Sequence, residues 1–234
     1  MTGVVYNCHA LHFRAKPSMT GKIIGYLRPG DKLDIIGTSG AYYNVVFKGK
    51  TGWAGSKYIK SQAPDVPGKP VEYKQGDSRW RNYPYTSCGN KAQTIKSSGC
   101  GIVCAAMIVA TWKDKKITPP GMAELAVHNG YRTKSSGTAW AFFPFLAKKY
   151  GLKCTQVSGK YGLPAVQKAI KEQHALVVCS MGKGYFTSCG HYILAWADDG
   201  KNLIVNNSAA GSSRNSGTYA VFTKECRAFF IFTR

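Results

Sequence analysis

Acidic residues are scarce in this chain. Of 234 residues only 11 are Asp or Glu, against 32 Lys and Arg, which leaves a formal net charge of +21. That imbalance points to an anionic partner: nucleic acid, acidic lipid, or the phosphate-rich polymers of a bacterial wall. The positive residues are spread through the chain, with no basic block or arginine-rich arm, and nucleic acid is therefore not the expected partner. Long hydrophobic runs are missing as well. The longest, Gly101 to Trp112, falls short of the roughly 20 residues that cross a bilayer, so no membrane span is expected. The opening "MTGVVYNCHALHF" lacks the charged start and continuous apolar core of a signal peptide. The protein is expected to be cytoplasmic, already processed, or released by another route such as host-cell lysis. None of the eight cysteines forms a CxxC pair, which leaves a structural zinc site poorly supported. Scattered over a chain of this length, they do not read as a stapled scaffold. Mostly free thiols are expected; one or more disulfides stay open, and no metal or cofactor is implied.

What is present divides in two. Residues 4 to 60 alternate short apolar pieces ("KIIGYL", "KLDIIG", "YYNVVF") with turns ("RPGD", "GTSGAY", "FKGKTG"), the pattern of a small all-β barrel or sandwich. "SQAPDVPGKP" follows, with Pro64, Pro67 and Pro70 three apart, and reads as a stiff, extended linker. Beyond it, helical patterns come first and β-prone runs later: "GMAELAVHNG", "AWAFFPFLAKKYG" and "LPAVQKAIKEQ", then "HALVVCSM", "HYILAWA" and "NLIVNNS". That order predicts an α+β domain. The expected organisation is multi-domain, with an all-β domain at 1–62, a linker at 63–71 and an α+β domain at 72–234.

The second domain carries one suggestive stretch, "TIKSSGCGIVCAAMIVATWK", from Thr94 to Lys113. Cys100 stands between two glycines where a polar turn meets an apolar helix. A helix start presents unpaired N–H groups and the positive end of the dipole, both of which favour a thiolate. The Cys100 pKa is therefore expected below the free value of about 8.5, with Cys100 the first of the eight to be alkylated. Cys104, one turn on, is expected in the core.

A cysteine nucleophile needs a base, and the base an orienting partner. Of five histidines, His191 opens the strand "HYILAWA", where a sheet edge gives access. If "DDG" forms a three-residue loop, Ala197 faces Lys201 and His191 pairs with Asn207; a four-residue loop would pair it with Ser208. An asparagine beside the imidazole can accept its N–H and fix the tautomer. Asn206 alternates to the other face and is the weaker candidate.

Two resemblances add to this reading. "LHFRAKPSMTGKIIGYLRPGDKLDIIG" and "YYNVVFKGKTGWAGSKYI" resemble a bacterial SH3 domain, with His12 and Phe13 replacing the usual middle pair of its opening motif. The resemblance implies an SH3-like barrel that binds cell wall. Nine basic residues against Asp31 and Asp34 suit an anionic wall polymer. "YKQGDSRWRNYPY", "TIKSSGCG", "GYRTKSSGTAWAFFPFLAKKYGL" and "MGKGYFTSCGHYILAWADDGKNLIVNNS" resemble the papain-fold cysteine peptidases related to bacteriocin-leader-processing enzymes. That resemblance places the nucleophile on Cys100, the base on His191 and the third residue, commonly aspartate, on Asn207. Asparagine there leaves the imidazolium less stabilised. By analogy the second oxyanion donor is Gln93, beside the Cys100 N–H, and Trp140 comes near the cleft.

Taken together, the sequence predicts a monomeric cell-wall hydrolase, secreted or phage-encoded, that cuts an amide bond of the peptidoglycan peptide. The alternatives are a peptidase acting on proteins and a wall-binding or adhesion protein with an inactive papain-like domain.

Overall fold

A computed structural model describes residues 2–62 and 69–234. They fall into two compact units, 1–66 and 67–234. Most of the expected linker, residues 63–68, lies outside the described residues. Pro70 and Val71, at its end, are held by the second unit: the Val71 N–H donates to Thr111 Oγ1 at 3.0 Å, and Asn206 Nδ2 donates to the Pro70 carbonyl at 3.2 Å.

The first unit is all β: β1 (Thr2–Val5), β2 (Leu11–Arg14), β3 (Ile23–Leu27), β4 (Lys32–Ser39), β5 (Tyr42–Phe47), β6 (Lys50–Gly55) and, after a 3-10 turn, β7 (Ile59–Gln62). They form one sheet in the order β3-β2-β6-β5-β4-β1-β7. Seven strands laid flat would spread over about 29 Å at the usual strand spacing. Leu27 on one edge strand and Ile59 on the other nevertheless share a core with Phe13, Leu33 and Val45, so the sheet curls around it. Of the residues that replace the usual SH3 pair, Phe13 is buried in this core. His12 faces outward, its ring centroid 5.5 Å from that of Tyr26.

The second unit opens with α1 (Ile95–Ser98), α2 (Cys100–Trp112), α3 (Pro119–His128) and α4 (Phe142–Lys149). Then come β8 (Lys153–Ser158), α5 (Leu163–Gln173), β9 (Leu176–Met181), β10 (His191–Asp198), β11 (Asn202–Asn207), β12 (Ser216–Thr218), α6 (Tyr219–Glu225) and β13 (Cys226–Thr233). Pro119 begins α3 and Pro144 sits in the first turn of α4, where a helix has no use for the missing N–H. The sheet order is β12-β11-β10-β9-β13-β8, antiparallel throughout, so the last strand inserts between β9 and β8.

Strand alternation explains two cores. Leu176, Val178, Tyr192, Leu194, Phe230 and Phe232 pack beneath α2, α3 and α4. Their neighbours Val177, Cys179, Ile193, Ala195, Phe229 and Ile231 pack on the other face, against α5 and α6. A sheet covered on both faces needs strands that are apolar throughout, which is why β9 is buried at every position. Helix α2 is apolar all round because α3 covers it on one side and the sheet on another.

Phe143 ties α4 to the sheet, its ring centroid 4.6 Å from Phe230 and 5.3 Å from Tyr192. The Phe143→Ala variant should lose about 3–5 kcal/mol of unfolding free energy. Urea denaturation would show it as a lower midpoint at unchanged slope; a loss under about 1 kcal/mol would mean that the aromatic cluster does not hold these layers together.

Candidate active site

The helix α2 begins at Cys100, and its first turn abuts the end of the sheet where β10 starts. The flanking glycines have steric causes. A Cβ on Gly99 would lie 2.6 Å from the Ile95 carbonyl oxygen, and one on Gly101 would lie 2.6 Å from Thr138 Cβ. The chain thus threads Cys100 between the end of α1 and the loop that carries Thr138, with no room for a side chain on either neighbour.

That loop, residues 133–140, forms one wall of a cleft of about 580 Å³ whose lining also includes Cys100 and His191. Arg132 anchors it. Its Nε donates to the Tyr85 carbonyl at 2.7 Å and Nη1 to the carbonyls of Gly137, at 3.2 Å, and Thr133, while Nη2 reaches Ser98 Oγ at 3.2 Å. The Tyr85 hydroxyl bonds Thr138 Oγ1 at 2.7 Å, and the Tyr192 hydroxyl donates to the Thr138 carbonyl at 3.0 Å. Arg132 was not singled out by the sequence, where it is one cation among many.

His191 and Asn207 meet, though not by the expected register. Asp198 pairs with Leu203 across a loop closed by Asp199 Oδ1, which accepts from the Lys201 and Asn202 N–H groups. A bulge at Trp196 then shifts the ladder so that Ile193, not His191, lies opposite Asn207. His191 is two residues along, on the same face, and its ring spans the diagonal: Nε2 lies 2.9 Å from Asn207 Oδ1. A slip of two keeps the face, whereas a slip of one would have replaced Asn207 by a neighbour. Asn206 is buried elsewhere, against the Pro70 carbonyl.

The Asn207 amide has one possible orientation. Its Nδ2 donates to Ser212 Oγ at 3.0 Å and to the Arg214 carbonyl at 3.3 Å, and its Oδ1 accepts the Ala209 N–H at 3.0 Å. Oδ1 therefore faces the imidazole, Nε2 carries the ring proton, and Nδ1 keeps the lone pair a base needs. An aspartate here would turn an oxygen toward the Arg214 carbonyl, which accounts for the asparagine.

Burial pushes the Cys100 thiol above the ordinary thiol range; the N–H groups of Tyr192, Gly101 and Cys100 itself pull the other way but do not prevail. Burial likewise lowers the His191 pKa, and the bond to Asn207 offsets this only in part. The expected low-pKa thiol at a helix start is overturned: desolvation of the enclosed sulfur outweighs the helix terminus. Both shifts favour the uncharged forms, thiol and imidazole. The Tyr192 N–H lies at the Cys100 thiol, and Cys100 and His191 line the same cleft.

Gln93 does not reach the cleft. Its Nε2 donates to the Lys134 carbonyl at 2.6 Å and its Oε1 lies 3.9 Å from Cys88 Sγ, so both ends are engaged away from Cys100. Cys104 is fully buried in the core, and Trp140 lines the cleft at 40% exposure. All eight cysteines are free thiols. Among the described residues no cluster of His, Cys, Asp or Glu could hold a metal ion, and no helix is long and apolar enough to cross a membrane. On the first unit, His12, Arg14, Tyr42 and Tyr58 line a groove of about 460 Å³.

The Bacterial SH3 domain family matches residues 9–60, and the Peptidase C39 like family matches residues 80–229. No curated protein matches the chain. Among solved structures, the peptidase domain of Streptococcus ComA, a bi-functional ABC transporter involved in a quorum-sensing pathway, is 17% identical. The match covers 58% of this chain and 90% of that one, with a TM-score of 0.43. A C39-like peptidase from Bacillus anthracis is 12% identical over 71% of this chain and 96% of its own, with a TM-score of 0.46.

The order of thiol reactivity follows from these surroundings. Cys88 is exposed, and its pKa is lowered by the Thr86 hydroxyl first, then the Asn90 N–H, with Arg132 and Lys134 adding to it. Under limiting iodoacetamide at pH 7, peptide mapping should find Cys88 alkylated before Cys100, with activity retained while only Cys88 is labelled. Alkylation of Cys100 should accelerate only as pH rises past the free-thiol value of about 8.5. Preferential labelling of Cys100 near pH 6 would mean a preformed thiolate instead.

Proposed function

The chain belongs to the Peptidase C39 like family and carries a bacterial SH3 domain, and we propose that it is a cysteine peptidase that hydrolyses an amide bond of the peptidoglycan peptide. The SH3 unit holds it on the wall. The observation that supports this reading most is an Asn207-oriented His191 and a cysteine at a helix start that line one cleft.

In this reading, His191 Nδ1 takes the thiol proton as Cys100 Sγ attacks the scissile carbonyl. Because the resting pair is neutral, proton transfer accompanies attack. The charge that develops on the carbonyl oxygen is met by the Cys100 N–H at the start of α2. His191 then gives its proton to the departing amine, leaving a thioester on Cys100. Water, deprotonated by the same nitrogen, hydrolyses the thioester and restores the thiol. Asn207 holds the ring in register throughout. The SH3 groove and the basic surface of the first unit supply wall affinity. The protein acts outside the cell that is lysed, secreted or released from a phage-infected host.

The purified chain should clear a suspension of Gram-positive walls, and Cys100→Ala should abolish clearing while leaving wall binding intact. Clearing by that variant at even a tenth of the parent rate would overturn the mechanism. Asn207→Ala should lower kcat about ten- to a hundredfold with little change in KM, since both reacting groups remain but lose their alignment. Equal kcat would remove Asn207 from the mechanism. Binding of full-length Cys100→Ala to walls should weaken steadily as salt rises, because charge attraction is screened over about 10 Å at 0.1 M. Salt-independent binding would assign affinity to specific contacts in the groove.

A further inference from the structure

The described residues that line the cleft include no Asp or Glu, and its fixed charge comes from Arg227. Arg227 is the one Lys, Arg, Asp or Glu among the described residues that line the cleft. Its position follows from the ladder. β13 pairs Cys226 with Met181 and Ala228 with Ser180, leaving Arg227 as the extra residue of a bulge. Met181 also pairs with His191 on β10, so Arg227 stands two strands from the base. At the usual strand spacing the two backbones are about 10 Å apart, one or two substrate residues from the reacting carbonyl.

Among the described residues the guanidinium has no ion-pair partner: the ion pairs there involve Lys69, Lys74 and Arg79. Glu225, two residues away, turns its carboxylate to the Tyr185 N–H at 2.7 Å instead. Room for the fork is kept by Gly182, where a Cβ would come within 3.2 Å of Arg227 Nε. A planar, permanently charged donor set, free on the wall of a cleft without acids, matches a carboxylate in a bidentate geometry.

We propose that Arg227 is the specificity-determining residue of this site and binds a carboxylate of the substrate peptide one or two residues from the scissile bond. This inference rests on the peptidoglycan reading given above. Within it, the preferred substrate carries a free α-carboxylate on the acidic residue of the stem peptide, and stems amidated there are cut poorly.

The test uses the full chain and two synthetic stem peptides that differ only in that group, carboxylate or carboxamide. The parent should cleave the carboxylate peptide with a kcat/KM at least about tenfold higher, the difference residing in KM. Arg227→Ala should remove this preference by raising KM for the carboxylate peptide, and an unchanged circular dichroism spectrum and urea midpoint would show that the variant is folded. Arg227→Lys should restore part of it. Equal cleavage of both peptides by the parent, or a preference that survives in Arg227→Ala, would overturn the inference while leaving the peptidase reading intact. If the parent cuts neither peptide and clears no walls, the peptidoglycan reading itself fails and the inference falls with it.

Discussion

The hydrogen bond from His191 Nε2 to Asn207 Oδ1 is the constraint on which the rest of the second unit depends. It assigns the ring proton to Nε2 and so leaves the lone pair on Nδ1. It holds only because Asn207 is itself fixed on three sides, by Ser212, by the Arg214 carbonyl and by the Ala209 N–H. It also requires that β10 and β11 be paired with a bulge at Trp196, which brings the two residues to one face on a diagonal. The sheet beneath is held from both sides by apolar layers. The site is thus positioned on the start of a buried helix and on the paired strands β10 and β11.

Burial and the helix terminus act on the nucleophile in opposite directions. The start of α2 brings N–H groups to the thiol, yet the enclosure that makes a cleft also strips water from the sulfur, and the second effect is larger. The same enclosure keeps His191 neutral. Aspartate at position 207 would have favoured the imidazolium, but the carbonyl of Arg214 requires a donor there. Both effects favour the uncharged forms, and the proposed mechanism therefore couples attack to proton transfer.

Much of this was legible in the sequence, for physical reasons that can be named. Helix α5 and strands β9, β10 and β11 stand out because their apolar periods are regular and glycine, "DDG" or polar turns bound them. Cys100 stood out through its glycines, whose cause is the close approach of Ile95 and Thr138. The contact between His191 and Asn207 was expected from the wrong register, because a shift of two preserves the face of a strand. What was not legible is long-range. Nothing local to "CRAFFIFT" says that β13 inserts beside β9, so Arg227, set by that insertion, could not be found. Gln93 was placed in the cleft by analogy, but the Lys134 carbonyl, distant in sequence, holds its amide elsewhere. The lowered pKa of Cys88 rests first on the local Thr86 hydroxyl and Asn90 N–H, and only the smaller contributions of Arg132 and Lys134 come from residues distant in sequence.

The central claim is that Cys100, served by His191, forms a covalent bond to the substrate acyl group. Rapid quenching of the full chain during turnover of peptidoglycan fragments, followed by intact-mass measurement and peptide mapping, tests it directly. The account predicts an acyl adduct on the peptide containing Cys100, released by hydrolysis and absent from the Cys100→Ala protein. Turnover with no adduct at all, or an adduct on Cys88 or Cys189 in its place, would contradict it.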